Sequence, residues 1–395
     1  MDVDPGALSA PDVDFDPQAL SAMEDPYPVF AELREKAPVF HAANRGLFVV
    51  SRYDDIRAIL LDPESYASGQ GTVPTGFVSA KPMMISQDPP VHTRLRAATH
   101  LRFTPRRMAA LDGFIRRTTA ELLDAIDPSE EVDLFDALTD PLPVAVITEM
   151  LGIGFEDRRE FSYYAGAIIH AVEGEGPSAE EAIQWIYRYL EGVLRERSSR
   201  PGDDLVSALL HSDQGQPALS HDEVVGFCAL LLMAGTETTT NALGNAVVLL
   251  QEHPALRARL VEHPDELPSV IEELLRLEAP VPGLSRVTTR DVEIRGIPIP
   301  KGERVHMAFA AANRDPRVFP DPDVLDPTRS PNPHLAFSLG IHFCLGASLA
   351  RTEMRIALEE LLARFPDYRA FPERGVRLRS DAARGFSALP FVGRG

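Results

Sequence analysis

The segment Phe337-Ser338-Leu339-Gly340-Ile341-His342-Phe343-Cys344-Leu345-Gly346 decides how the rest of this chain is interpreted. Its cysteine comes just before a stretch with apolar residues at helical spacing, which continues to Leu362. A thiol at the N-terminus of a helix lies near the positive end of the helix dipole, which favours the thiolate. The two glycines let the backbone bend and let a flat ligand approach closely. Because a single cysteine is more often buried and inert, the segment needs support from elsewhere in the chain.

The composition is that of an ordinary globular protein with two unusual counts. Of 395 residues, 44% are apolar and 25% are charged, while the formal net charge is −20 and prolines number 34. The negative charge argues against a nucleic-acid partner, because a polyanion repels such a protein unless a local basic patch prevails. The chain has two cysteines and begins without a basic and apolar leader. We therefore expect a cytoplasmic protein with no disulfide and no membrane segment.

Hydrophobic periodicity predicts a mainly α fold with minor β. The longest helical stretch, residues 222–252, is apolar almost all round in its first half, which is typical of a helix buried in a large protein. Alternating apolar residues from 286 to 307, and again from 376 onward, predict small strands. We expect residues 1–22 to be a loosely ordered lead-in and residues 23–395 to form a single domain.

Three further segments carry polar residues in patterns that need an explanation. Residues 273–276 (Glu-Leu-Leu-Arg) place an acid and a base three positions apart, on one face of a helix. Residues 234–239 (Ala-Gly-Thr-Glu-Thr-Thr) lie inside the long apolar helix, where polar groups need partners. Their glycine and threonines predict a local kink or a widened turn. His92 and Arg96 are four residues apart at the start of a helix, so both can face one anionic group.

In their order along the chain, these four segments resemble the motifs of the cytochrome P450 family. Residues 337–346 resemble the haem-ligating loop Phe-Gly-x-Gly-x-His-x-Cys-x-Gly, with Ser338 where the family usually has glycine. Residues 273–276 resemble its Glu-x-x-Arg motif, and residues 234–239 resemble the oxygen-pocket motif of its long helix. The resemblance covers nearly the whole chain. It implies a single-domain P450 fold, with a long central helix over the haem and small peripheral sheets.

The resemblance also implies a role for individual residues. Cys344 is the implied thiolate ligand of the iron of haem b, and Thr238 and Glu237 are the implied alcohol and acid that manage protons. Glu273 and Arg276 are implied to be buried and structural, tied to Arg329 or alternatively to Arg314. The residues implied to hold the haem or its propionates are His92, Arg96, Ala234, Arg286, Phe337, His342 and Gly346.

The activity implied is that of a soluble bacterial haem-thiolate monooxygenase, which inserts one oxygen atom of O₂ into a C–H or C=C bond. The chain has no Gly-rich dinucleotide motif and no iron–sulfur cysteines, so we expect its electrons to come from another protein. The donor expected from the resemblance is a separate ferredoxin or flavodoxin with an NAD(P)H-dependent reductase. An acidic donor needs a local basic patch on a protein of net charge −20, and the candidates are Arg102, Arg106, Arg107 and Arg351. We expect a monomer that binds neither nucleic acid nor membrane.

The candidate substrate pocket is largely apolar, which favours a small to medium apolar substrate. Its predicted residues are Val73, Phe77, Val78, Met84, Leu230, Met233, Val281, Leu284 and Phe386. Lys81 is the cation that stands out near them. Three alternatives stay open at this point: a peroxide-driven haem-thiolate enzyme, a non-catalytic haem-binding sensor, and a zinc protein that uses cysteine and histidine.

Overall fold

The computed structural model describes residues 15–154, 160–161, 163–164, 167, 177–211 and 219–394. Most of these residues are helical, and the helices are α1 Pro17–Ala22, α2 Tyr27–Lys36, α3 Tyr53–Leu61, α4 Val91–Thr99, α5 Pro105–Ala109, α6 Asp112–Asp124, α7 Pro141–Leu151, α8 Ala179–Ser199, α9 Leu205–Leu210, α10 His221–Glu252, α11 Pro254–Glu262, α12 Leu267–Leu277, α13 Phe309–Ala312 and α14 Ala347–Arg364.

The strands are short, with the bounds β1 Val39–Ala42, β2 Leu47–Val50, β3 Tyr66–Ala67, β4 Glu131–Asp133, β5 Leu284–Thr288, β6 Val292–Ile294, β7 Ile297–Ile299, β8 Arg304–Met307, β9 Arg369–Ala370, β10 Val376–Arg377, β11 Phe386–Ala388 and β12 Pro390–Val392. The prediction of a mainly α fold with minor β is therefore confirmed.

The described residues divide into two compact units. The first contains the chain up to Val78, residues Glu272–Cys344 and residues Arg377–Arg384. The second contains Ser79–Ile271, Leu345–Val376 and the chain from Gly385 onward. The expectation of one domain over residues 23–395 stays a prediction.

A mixed five-stranded sheet organises the first unit. Its strand order is β1-β2-β8-β5-β3, and only the β2–β8 pair is parallel among these neighbours. Apolar side chains from α3, β2 and β8 form one core, and those from α1, α2 and α13 form another. The hairpin β6–β7 completes the β structure of this unit in the described residues.

The end of the predicted lead-in is ordered, which corrects the expectation for residues 15–22. Asp16 caps α1, and its carboxylate accepts hydrogen bonds from the backbone N–H groups of the first turn. Phe15 is fully buried. The guanidinium of Arg384 donates to the carbonyls of Ser21 and Met23 at 3.0 and 2.7 Å. These buried contacts hold the segment in place, while residues 1–14 lie outside the described part of the chain.

The second unit is built around α10. This helix begins with a capping box in which Ser220 and Glu223 satisfy each other's backbone N–H groups. Helices α7, α8 and α14 pack against α10, and α14 also packs against α6. Arg116 on α6 donates to Glu359 on α14 at 2.7 Å. Strands β4, β12 and β9 form a three-stranded sheet in this unit.

A buried ion cluster joins α12 to the proline-rich segment 313–332 in the first unit. Two nitrogens of Arg276 donate to the two oxygens of Glu273 at 2.7 Å, and both side chains are inaccessible to solvent. Arg329, rather than Arg314, donates its Nε–H to Glu273 at 3.0 Å. Arg314 bonds instead to Asp323 and to the carbonyl of Leu277. Burial works to raise the pKa of Glu273, but these donors outweigh it and hold the pKa below its usual value.

We expect Glu273→Ala to cost about 3–5 kcal/mol in the free energy of unfolding, because it leaves two guanidinium groups buried without their carboxylate. Urea unfolding measures this loss. The matched control is Lys36→Ala, which removes the ion pair with Glu32 on the surface of α2. That change should cost under about 1 kcal/mol. Equal losses in the two variants would show that the Glu273 cluster does not stabilise the fold.

Candidate active site

The cysteine loop is closed by its own backbone. The N–H of Cys344 donates to the carbonyl of Phe337 at 2.9 Å, and Phe343 donates to Gly340 at 3.1 Å across a 3₁₀ turn. Cys344 is partly exposed. Gly346 is the N-cap of α14, so Cys344 precedes the N-cap of that helix by two residues in the chain.

Two residues of this loop have left-handed backbone conformations. Gly340 has φ of 69°, and a Cβ there would overlap the carbonyl oxygen of Leu60. Ser338 has φ of 58°, a conformation that disfavours any residue with a Cβ. Its hydroxyl is buried and makes no hydrogen bond to the described residues. The serine therefore occupies a position suited to glycine, at a cost in both backbone strain and an unpaired polar group.

The predicted cationic residues fall in both units. In the first unit, Arg286 is buried on β5 and donates to the carbonyl of Ser285 at 2.8 Å, while His342 lies 3.1 Å from the hydroxyl of Ser68. In the second unit, α4 carries a buried His92 and a partly buried Arg96. Charged side chains are rarely buried unless they have a partner, so the burial of Arg286 is unlike that of a plain surface arginine.

Away from its ends, helix α10 is mostly buried but has one solvent-accessible stretch, residues 233–238, called here its open region. Ala234 is exposed, and Met233, Glu237 and Thr238 are partly exposed, although the helix is buried on both sides of this stretch. The hydroxyl of Thr238 donates to the carbonyl of Ala234 at 2.7 Å. The helix stays a continuous α-helix from His221 to Glu252, so the prediction of a widened turn is wrong. The hydroxyls of Thr236, Thr238 and Thr240 donate hydrogen bonds to carbonyls one turn earlier, and the backbone hydrogen bonds of the helix stay intact.

Glu237 has a strongly perturbed acidity. Burial raises the pKa of its carboxyl to about 8, and the nearby amide of Asn241 offsets this only in part. The carboxyl is therefore mostly protonated near neutral pH. A neutral acid with a pKa close to the working pH can both give and regain a proton.

The residues predicted to line a substrate pocket differ in their surroundings. Phe77 and Val78 are about half exposed, at 48% and 51%. Val73, Leu230, Met233, Val281 and Leu284 are partly buried. Met84 and Phe386 are buried; the Met84 sulfur accepts a hydrogen bond from Thr99 at 3.9 Å, and Phe386 lies against Gly244. The assignment of these residues to a pocket stays a prediction.

The sequence reading missed Arg304, which organises the loop at residues 70–76. Its guanidinium donates to the carbonyls of Gln70, Gly71 and Val73 at 2.8–3.2 Å. A Cβ at Gly76 would approach the same guanidinium. The alternation of β8 showed a strand but gave no signal that its arginine binds a distant loop.

Lys81 is engaged by acids of the second unit. Its ammonium lies 2.6 Å from Asp222 at the start of α10 and 3.4 Å from Glu191 on α8. The side-chain bond to Asp222 is the main reason that the pKa of Lys81 is raised. Its positive charge is thus matched within the protein.

Comparison with known proteins identifies the family to which this chain belongs. A family model described as Cytochrome P450 matches residues 174–366. The erythromycin C-12 hydroxylase of Saccharopolyspora erythraea is 40% identical over 341 residues, which cover 84% of this chain and 85% of that protein. The chain belongs to the cytochrome P450 family. The vitamin D(3) 25-hydroxylase of Pseudonocardia autotrophica is 38% identical, with 93% of each protein covered. The solved structure of CYP109E1 from Bacillus megaterium in complex with testosterone matches this P450 with a TM-score of 0.87 and 34% identity, over 96% of this chain and 100% of that one.

Membership establishes the class of chemistry. This P450 is a monooxygenase that binds haem, since members of the family hold haem through a cysteine thiolate. The sensor and zinc alternatives are therefore wrong. None of the helices in the described ranges is long and apolar enough to cross a bilayer.

The residues present fit the haem group on three observations. First, the partly exposed thiol of Cys344 precedes a helix. Second, Ala234 is exposed on the otherwise buried helix α10. Third, Arg286 is buried on β5 and His92 is buried on α4. Sulfur suits the iron, a small residue leaves room for a flat ring, and cations suit two propionates.

We expect Ser338→Gly to stabilise the protein by about 1 kcal/mol. It relieves roughly 1–2 kcal/mol of left-handed strain, partly offset by the greater chain entropy of glycine. Thermal and urea unfolding of the haem-loaded protein measure the change. Ser338→Ala is the matched variant, because it removes the unpaired hydroxyl but keeps the strain. If glycine gave no more stability than alanine, the left-handed conformation would carry no cost.

Proposed function

We propose that this P450 inserts one oxygen atom of O₂ into a C–H or C=C bond of a small to medium, largely apolar substrate, with electrons from a separate ferredoxin or flavodoxin and its reductase. The observation that carries the proposal is the cysteine loop, closed by the Cys344–Phe337 hydrogen bond and placed at the start of α14. That arrangement would hold the Cys344 sulfur in one position, from which it could bind the haem iron.

In this proposal, the haem iron is held by Cys344. His92, Arg96, Arg286 and His342 bind the propionates through charge-assisted hydrogen bonds. The remaining contacts come from small or flat side chains near the ring, namely Ala234, Phe337 and Gly346. When bound, the haem supplies O₂ activation, and its thiolate ligand favours O–O cleavage.

The protein's own part is proton management and exclusion of water. Glu237 is mostly protonated near neutral pH and can release a proton. Thr238 carries a hydroxyl on the open region of α10 and passes or positions that proton. The apolar residues nearby keep bulk water away from the reacting atoms.

The substrate class rests on the pocket residues and on the relatives. Two relatives are an erythromycin C-12 hydroxylase and a vitamin D(3) 25-hydroxylase, and one structural neighbour was solved in complex with testosterone. Vitamin D(3) and testosterone are uncharged and mainly hydrocarbon, in keeping with the apolar residues predicted to form the pocket. Because Lys81 is matched by Asp222 and Glu191, it is poorly suited to hold a substrate carboxylate.

Electron delivery is proposed to use arginines of the second unit. Arg106 and Arg107 on α5 are exposed, and Arg102 and Arg351 are partly exposed. An acidic donor would dock there because these residues locally reverse the sign of an acidic protein. We further propose a cytoplasmic monomer. The peroxide-driven alternative is less favoured because the Glu237–Thr238 pair serves proton delivery to O₂, which a peroxide-driven enzyme does not need.

We expect Cys344→Ser to abolish the spectrum that thiolate-ligated haem gives with CO after reduction. The matched control is Cys228→Ala, which alters the other cysteine. Cys228 is buried on α10, and burial raises the pKa of its thiol to about 12, so it cannot serve as a thiolate. The control should keep the spectrum. An unchanged spectrum in Cys344→Ser would refute the ligand assignment.

We expect Thr238→Ala to bind substrate normally but to yield at least about 10-fold less product per NAD(P)H, with the missing electrons recovered as hydrogen peroxide. The loss follows because a positioned acid–base group contributes about 10²–10⁴-fold to the step that needs its proton. Thr238→Ser keeps a hydroxyl and should retain most of the yield. Supplied peroxide should restore turnover in the alanine variant. Full yield with NAD(P)H in that variant would remove Thr238 from the relay.

A further inference from the structure

Asn241 is a buried amide that lies close enough to Glu237 to lower the pKa of that carboxyl, yet its side-chain atoms make no hydrogen bond of normal geometry with the described residues. It lies on α10, one turn after Glu237, and is 1% exposed. Its Nδ2 and Oδ1 are both unpaired, and so is Oε1 of Glu237. Leaving a buried polar atom unpaired is costly, so three such atoms within one turn of a helix need an explanation.

The backbone at Gly385 lies close against the side chain of Asn241. A Cβ at Gly385 would overlap the Asn241 side chain. The chain therefore keeps a glycine where it passes the amide, although the glycine backbone is entropically expensive to order. This close approach limits the room in which the amide can move.

The neighbouring threonines of α10 do not share this situation. The hydroxyls of Thr236 and Thr240 donate to carbonyls of their own helix at 2.7 and 3.1 Å. Polar side chains in this stretch can thus be satisfied locally, and the threonines are. Glu237 and Asn241 are left as the pair that requires a further partner.

We propose that Asn241 is a positioning residue for the proton relay, and that its amide and the Glu237 carboxyl hold one buried water molecule between them. Buried waters typically make about three hydrogen bonds to polar groups that would otherwise be unsatisfied. The amide offers both a donor and an acceptor, and the carboxyl offers an unpaired oxygen. This water would fix the orientation of the Glu237 carboxyl and so determine which of its oxygens carries the proton. The inference rests on the proposed role of Glu237 and Thr238.

The test compares Asn241→Leu with Asn241→Ala in the haem-loaded protein. Leucine has the branched shape of asparagine but cannot bind water, whereas alanine leaves room for a water to remain. We expect Asn241→Leu to lower product per NAD(P)H by about two- to ten-fold, the effect of one hydrogen bond of ordinary strength. Asn241→Ala should lose less. Thr240→Val is the control, because it removes a buried hydroxyl of the same helix that bonds only to its own backbone, and it should leave the yield unchanged.

A second readout separates positioning from a structural role. The infrared C=O band of the protonated Glu237, identified by its loss in Glu237→Gln, is measured on the resting protein without turnover. Asn241→Leu should move this band to higher frequency because the carbonyl loses a hydrogen bond. Gly385→Ala displaces the amide without deleting it and should shift the band as well. If Asn241→Leu leaves band and yield unchanged while Thr238→Ala uncouples, the Asn241 inference is wrong and the relay stands. If Thr238→Ala also fails to uncouple, the relay itself falls.

Discussion

The buried carboxylate of Glu273 is the interaction on which the irregular part of the first unit depends. Among the described residues, its oxygens accept hydrogen bonds from the side chains of Arg276, Arg329 and Asn332 and from the backbone of Asp326. Arg276 also donates to three carbonyls of the segment 313–324. A buried ion pair adds little net stability compared with apolar residues of similar volume. It nevertheless disfavours other conformations of the segment, because those would leave a buried charge without its partner. A proline-rich stretch that cannot form regular hydrogen bonds thus obtains a single conformation, and it leads directly into the cysteine loop.

Local patterns predicted the parts of the fold that local physics determines. The apolar length of α10, the alternation of β5 to β8 and the three-residue spacing of Glu273 and Arg276 could all be read from the sequence. The order of α1 could not, because it depends on Arg384, far away in the chain. Nothing in the sequence indicated that Arg304 donates hydrogen bonds to the loop at residues 70–76. The widened turn in α10 was predicted from residue types alone, and it failed because threonine hydroxyls found partners without disturbing the backbone.

Helix α10 meets two demands that conflict. It is the centre of the second unit, which requires apolar residues on most faces, yet it must present polar chemistry at its open region. Thr236, Thr238 and Thr240 meet both demands, since each donates its hydroxyl to a carbonyl one turn earlier in the helix. Glu237 and Asn241 do not, and their unpaired atoms cost stability that a purely structural helix would not give up. The proposed relay gives a reason for this cost, because functional sites are where a chain departs from the rules that fold it.

The hydrogen bonds in the structure also give the relay a direction. The hydroxyl of Thr238 donates its proton to the carbonyl of Ala234, so what it has left are acceptor lone pairs. Glu237, with a pKa of about 8, is a donor near neutral pH. In the proposed relay, Glu237 therefore holds the proton at rest and Thr238 is oriented to receive one. Proton delivery through Thr238 would then require its hydroxyl to leave the Ala234 carbonyl, and the proposal predicts that this exchange accompanies proton release.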